Sequence, residues 1–562
     1  MSTSPPPSAA DNPDPWSYPS ETIDLSARHP DVLISPGEAA YEARSHRRRL
    51  PSFIAAALAV ALVLGGVAYA GMRLWYGSGA QPEEATPSTV VAFARLDLSP
   101  GLGQGRNLNS LVKKFPQESG KDTVDELKKG IFEALDVDEA AYRKHVEPWF
   151  AERVGVAWWI DGQQRPYGLI MLAAKDESAA RAGLTELRRQ TSDGGFGFVV
   201  RRGYALVARG DKESQAAADA ADKEAERESL AASAQFRRGV DWLPGQQAAL
   251  GWADLARLGQ ATNAMTESSL RDMPRAPGEE PMPSSVAADP MGAFFGVPGL
   301  GVFPGIAGPG QSGDLKGQVI VGAQATGNGV EVRYRGFGAD VEGLGTDARS
   351  TVDSLPANSA IAGAFRLGDV GKQFAGMGPG PEEMLPPEGV LKDMPPGEAD
   401  RMREEMRVNQ KQFETMHKAF AALSGAKISF AATGVGQDDI PALDAAAETT
   451  SADQAAKLVE AVQLLFPDEV TVSASGDKVE LKTKRNAPER GGALAGEALY
   501  QEALDGTPQE ATAVLYVDIQ RLFADQPMSD KERRQAEPVK AIGLAASMED
   551  GDPVGLLRIV IR

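Results

Sequence analysis

The sequence predicts an α+β protein in which a single N-terminal transmembrane helix is followed by an exported domain made of two related α+β units. Three observations predict it. Residues 53–72 form an uncharged apolar run, the chain beyond them alternates strand-like and helix-like segments, and one stretch recurs later without a gap. At 562 residues the chain also exceeds what one ordinary core supports, so two or more compact units are expected.

Residues 1–50 are rich in Pro, Ser, Asp and Ala and end in the basic cluster Arg44, Arg47, Arg48 and Arg49. With no apolar period, such a tail cannot bury enough surface to offset the entropy of ordering, and it reads as disordered and cytoplasmic. Residues 51–74 hold the membrane segment. Its 20 residues from Phe53 to Met72 carry no charge, and a helix of that length, at about 1.5 Å per residue, spans the hydrocarbon core of a bilayer. Four arginines precede it and Arg73 alone follows at once, which places the N-terminus inside and the bulk of the chain outside the cell membrane. Two other readings compete. Ala68-Tyr69-Ala70 resembles a signal-cleavage site, but the run exceeds the usual h-region of about 7–15 residues. A buried core helix would show an amphipathic face, and this segment is apolar all round. The expected partner of residues 53–72 is therefore the lipid bilayer.

A linker, residues 75–87, leads to the first unit, residues 88–262. Residues 89–96 (TVVAFARL) read as a strand. Val124, Leu127, Ile131 and Leu135 then mark one buried face of a helix over 122–135. Strands at 154–160 and 167–174 flank a turn containing Asp161-Gly162. A helix over 177–190, a hairpin at 196–202 and 204–208, and a helix from about 211 complete the unit. Residues 263–316 form a Pro/Gly/Met-rich loop whose Phe294, Phe295 and Phe303 are unusual for a solvated linker. It could touch lipid or a partner, fold over its own domain, or stay disordered.

The second unit, residues 317–562, is a repeat with added strands. Leu230–Leu258 matches Leu494–Leu522 without a gap over 29 residues at a constant offset of 264. Identical residues include Asp241 and Asp505, Pro244 and Pro508, Asp254 and Asp518, and Arg257 and Arg521, while Trp252 faces Tyr516. Upstream, with gaps, Ser88 and Arg95-Leu96 align with Ser359 and Arg366-Leu367. The helix over 177–190 aligns with one over 452–465, capped by Ser451 and Gln454, and the hairpin at 196–208 with 469–481, turning at Gly476-Asp477.

Composition narrows the function. A net charge of −20 repels phosphate backbones and leaves nucleic acid without a footing. The absence of cysteine removes disulfides, thiolate nucleophiles and thiolate metal sites. His29, His46, His145 and His417 are too scattered for a histidine-built metal site. No nucleophile elbow, phosphate loop or dinucleotide fingerprint is present, so neither catalytic residues nor a cofactor is assigned. The candidate binding pairs are Asp254 with Arg257 and Asp518 with Arg521. An Asp closing a strand ahead of Leu-x-Arg-Leu is equally placed to cap the next helical turn. Trp158-Trp159, adjacent in a strand, point to opposite faces.

The opening strand TVVAFARLDL, the step His145-Val146-Glu147-Pro148-Trp149-Phe150 and the strand from Val154 to Ile160 together resemble the actinobacterial membrane-anchored proteins grouped as domain of unknown function 3352. In that family a Pro-Trp-Leu-Gly-like step precedes a strand, whereas Phe150-Ala151 stands here in the Leu-Gly place. The resemblance covers most of residues 85–562 and implies no activity and no functional residue. The expected function is a non-enzymatic binding or scaffold module of the cell envelope, with a protein, lipid or glycan partner. An exported hydrolase using carboxylates or serine, and a transmembrane signalling protein, are the alternatives.

Overall fold

The computed structural model describes residues 81–97, 102–115, 139–190, 195–209, 213–261, 316–338, 347–367, 421–435, 441–465, 470–483, 492–524 and 528–562, with a few isolated positions besides. Its elements begin with strand β1 (Ala92–Asp97), helices α1 (Leu102–Val112) and α2 (Glu139–His145), and strands β2 (Phe150–Ile160) and β3 (Pro166–Ala174). Helix α3 (Glu177–Gln190), strands β4 (Gly197–Arg201) and β5 (Tyr204–Arg209), and helices α4 (Ser214–Arg227) and α5 (Ala234–Trp242) follow. Then come β6 (Ala249–Asp254), β7 (Gln318–Thr326) and β8 (Gly329–Phe337), closing a first half. The second half runs α6 (Ala348–Asp353), β9 (Ile361–Arg366), β10 (Lys427–Val435), β11 (Pro441–Glu448), α7 (Ala452–Leu465), β12 (Val470–Ser475) and β13 (Lys478–Thr483). It ends with α8 (Ala498–Ala503), β14 (Ala513–Asp518), α9 (Ile519–Leu522), α10 (Asp530–Ala536), β15 (Val539–Glu549) and β16 (Asp552–Ile561).

The strands form one sheet of 16, ordered β12-β13-β11-β10-β9-β14-β15-β16-β8-β7-β6-β1-β2-β3-β5-β4, and every neighbouring pair along it is antiparallel. Read outward from the β8–β16 contact, the order is the same on both sides. β1 through β8 therefore correspond one to one with β9 to β16 under the pairs β4/β12, β5/β13, β3/β11, β2/β10, β1/β9, β6/β14, β7/β15 and β8/β16. Register confirms the match: Ala92 pairs with Ala253 where Ile361 pairs with Val517, and Ala173 pairs with Tyr204 where Glu448 pairs with Lys478.

The two halves meet as equivalent edges. Val332 of β8 pairs with Leu557 of β16, and Tyr334 with Gly555. Hairpin register makes Val332 equivalent to Gly555 and Tyr334 to Leu557, so these two rungs exchange under a local two-fold axis through the Arg333–Leu556 pair. Such self-complementary pairing is the geometry of an isologous dimer interface, here made within one chain.

Helices cover the sheet where its strands are apolar. In the first half, Ile170, Leu172, Ala205 and Val207 face α3 through Ala180, Leu184 and Leu187. On the opposite face Leu169, Met171, Leu206 and Ala208 meet Ala217, Ala218 and Ala221 of α4.

Several expectations are corrected. The described chain is mostly β, one continuous sheet rather than two separate α+β units behind a membrane helix. The reason is that equivalent edge strands fuse, a long-range pairing with no local signal. β7 and β8, expected to open the second unit, belong to the first half. The alignment of Arg95-Leu96 with Arg366-Leu367 is out by two residues, because the register equates Asp97 with Arg366. A two-residue slip keeps every side chain on its face, which is why the pattern concealed it. No helix among the described residues is long and apolar enough to cross a membrane. The expected transmembrane helix at 53–72 rests on hydropathy and its flanking arginines and lies outside the described residues, as do the expected tail before it, the helix over 122–135 and all but the last residue of the 263–316 loop. The bilayer partner expected of residues 53–72 falls on the same residues outside the described ones.

Candidate binding site

The two candidate pairs are caps. Asp254 ends β6, and its carboxylate accepts the backbone N–H of Arg257 at 3.0 Å. Arg257 lies 3.5 Å from the same carboxylate and donates to the Ser88 carbonyl at 3.2 Å. Asp518 ends β14 and accepts the Arg521 N–H at 2.9 Å, while the Arg521 guanidinium donates to the Ala357 carbonyl and lies 3.2 Å from Glu497. In each half the pair ties the strand end to the segment entering β1 or β9. No hydrogen bond or ion pair among the described residues joins one pair to the other. Trp159 is fully buried, and Trp158 packs at the edge of a cluster on the other face, as their adjacency predicts.

A better candidate appears where the halves differ. In the first half Pro82, Gly155, Met171 and Tyr204 are buried together. Gly155 is required there, since a Cβ would lie 2.6 Å from Pro82 and 3.0 Å from Met171. Helix α4 seals the outer side. In the second half the equivalent positions are Thr351, Ser429, Ala446 and Lys478. Only residues 484–493 join β13 to the turn at Leu494, where residues 210–229 join β5 to the equivalent turn at Leu230, so a helix the length of α4 does not fit. The strand positions beneath it change accordingly, from Leu169, Met171, Ala173, Leu206 and Ala208 to Asp444, Ala446, Glu448, Glu480 and Lys482. Truncating Met171 to Ala446 and opening the roof leaves a pocket of about 350 Å³ between α6 and strands β10, β11 and β13.

The pocket is polar and internally balanced. Lys427 Nζ lies 2.5 Å from Asp347 and Lys478 Nζ 3.2 Å from Glu480. The hydrogen bond from Lys427 holds the Asp347 carboxyl below its ordinary range, and the one from Lys478 does the same for Glu480. On α6, Ser350 and Thr351 donate to the Asp347 carbonyl at 3.0 and 2.9 Å, and Ser354 to the Thr351 carbonyl at 2.7 Å. Their protons are thus turned into the helix, leaving oxygen lone pairs for the pocket. Each lysine carries three donors, of which its carboxylate uses one. The walls therefore offer acceptors from serine, threonine and Glu448, and donors from two lysines, each of which has a carboxylate partner of its own.

None of these residues is singled out by the sequence on its own. The signal lay in the aligned hairpins, where Lys478 takes the place of Tyr204. No family model matches the chain, and neither does any curated protein or solved structure.

Proposed function

We propose that the chain is a non-enzymatic binding module whose first half is a sealed scaffold and whose second half binds a glycan through the pocket between α6 and β10, β11 and β13. The observation that carries this reading is the replacement of a packed core and its covering helix by an open, hydroxyl-lined cavity at the equivalent place. A sugar hydroxyl both donates and accepts, matching walls that mix lysine donors with serine, threonine and glutamate acceptors. Binding is favoured over catalysis because both lysines are already paired with carboxylates and no nucleophile with an adjacent base lines the pocket among the described residues.

The test is titration of the full chain with glucose, maltose and glucuronate, followed by calorimetry or NMR shifts. Neutral sugars should bind in the millimolar range, about −4 kcal/mol, with shifts at Ser350, Ser354 and Lys478, and glucuronate should gain no more than a few-fold. Lys478→Ala, at an exposed position, should weaken binding several-fold without altering the fold. Absence of shifts at these residues with all three sugars at tens of millimolar would refute the reading.

A further inference from the structure

The two outermost strands of the sheet, β4 and β12, are equivalent, yet the protein treats them differently. In each hairpin the residues flanking the two-residue turn close the ladder, Arg201 with Tyr204 and Ser475 with Lys478. Alternation then turns the N–H and C=O of Phe198 and Val200 outward from β4, and those of Val472 and Ala474 outward from β12.

The β4 edge is sealed. Gln215 of α4 accepts the Phe198 N–H at 3.2 Å and donates to the Phe198 carbonyl at 3.1 Å, imitating a neighbouring strand. Arg181 of α3 donates to the Val200 carbonyl at 2.8 Å. Neither device is found among the described residues at the other end. The span 484–493 is too short for a helix the length of α4, and the position of Arg181 is taken on α7 by Ala456. Among the described residues β13 is the only strand paired with β12, and no side chain bonds to its outer edge. Its sequence, VTVSAS, has no charge and no proline, so it lacks the devices that keep an edge single.

We propose that β12 is a dimerisation edge, pairing antiparallel with β12 of a second copy of this chain about a two-fold axis through Val472. In this register Val472 faces its own copy, Val470 faces Ala474, and all three present their free backbone groups to one another. An axis normal to the sheet keeps like faces together. Val470, Val472 and Ala474 continue the apolar row beside α7, where Val472 packs on the cluster of Leu458 and Val479, while Thr471, Ser473 and Ser475 stay on the polar face. The fold already uses this solution internally, since β8 and β16 are equivalent edges paired about a local two-fold axis. A second copy fits better than an unrelated strand because the self-pairing needs no new pattern and meets no like charge. With β4 sealed, growth stops at two chains.

Light scattering on the full chain over a dilution series tests this, with Val472→Pro as the discriminating variant. The N–H of Val472 points away from β13, so proline there removes an outward donor and leaves the hairpin ladder intact. The expected result is a dimer that Val472→Pro converts to monomer, with unchanged circular dichroism and melting. Because the chain has no cysteine, Val472→Cys gives a second readout, a disulfide-linked dimer on mild oxidation, which holds even if the proline variant fails to fold. A wild-type monomer at tens of micromolar, a dimer that Val472→Pro leaves intact, or open-ended oligomers would each overturn the proposal. Because sugar titration of the monomeric variant reads the pocket separately, failure here is distinguishable from failure of the glycan reading.

Discussion

Asp254 and Asp518 each sit at the last residue of a strand and take the backbone N–H of the arginine three residues on. Replacing an N-cap aspartate by alanine costs about 1 kcal/mol, and here it also frees an arginine that anchors a neighbouring segment. Asp518→Ala should therefore lower the urea midpoint by an amount equivalent to about 1–2 kcal/mol and leave sugar binding unchanged; a loss of binding at full stability would return this pair to the list of recognition residues. The repeat was legible over these positions because cap and core residues recur in type, as Phe236 against Trp252 recurs in Tyr500 against Tyr516, with ring centroids 6.1 and 5.2 Å apart. Other positions keep the packing and exchange the residues. Gly239 of α5 admits Ile320 of β7, whereas in the second half Ala503 of α8 lies over Gly543 of β15, where a Cβ would stand 2.2 Å from the Ala503 carbonyl oxygen. Such compensated swaps erase identity while preserving shape, so sequence comparison passes over them.

Among the elements, β8 and β16 carry the most charge in the least water. Arg558 of β16 pairs with the buried Glu331 of β8, and Arg335 of β8 meets Asp552 of β16 at 3.0 Å. Burial works against ionising Glu331, but the hydrogen bond and charge of Arg558, aided by Gln324 and Arg333, outweigh it and hold the carboxyl below its ordinary 4.5. A depressed folded value means that the contribution of Glu331 to stability is fully present above about pH 4.5 and is lost as pH falls through the lower, folded-state value. Glu331→Gln should cost about 2 kcal/mol at neutral pH by leaving the buried Arg558 with only the exposed Asp505 as counter-charge, and its unfolding free energy should fall less steeply than wild type below that pH. Equal acid slopes for the two proteins would show that Glu331 is not the group responsible. The sequence displays the strands beside this seam only as apolar, alternating runs. Which edge each one meets is decided by partners more than two hundred positions away, such as Glu331 with Arg558, and no local pattern encodes that.

At the scale of the whole molecule the chain is a doubled half-sheet whose copies have parted in role. The first half keeps its covering helix and its sealed edge; the second has lost both and gained a pocket. Residues 338–347 alone connect β8 to α6 across the seam, and the seam itself is made by backbone pairing and buried ion pairs that do not depend on that connection. A chain divided between Ala339 and Asp340 and expressed as two fragments should reassemble, with the full-length near-ultraviolet spectrum recovered on mixing. Fragments that each fold but stay apart would show that the seam requires its tether.

The same connection helps to keep closed a seam that consists of one strand pair and the apolar clusters the halves share beside it. Two partners held on a linker of this length meet at an effective concentration on the order of millimolar, so an interface of modest intrinsic affinity is almost always closed. Evolution could then alter β8 and β16 without dissociating the halves. Gly555, whose bare Cα lets the Tyr334 ring lie where a Cβ would be only 2.1 Å away, is the kind of asymmetric fit that two free subunits, obliged to make both sides alike, could not have reached.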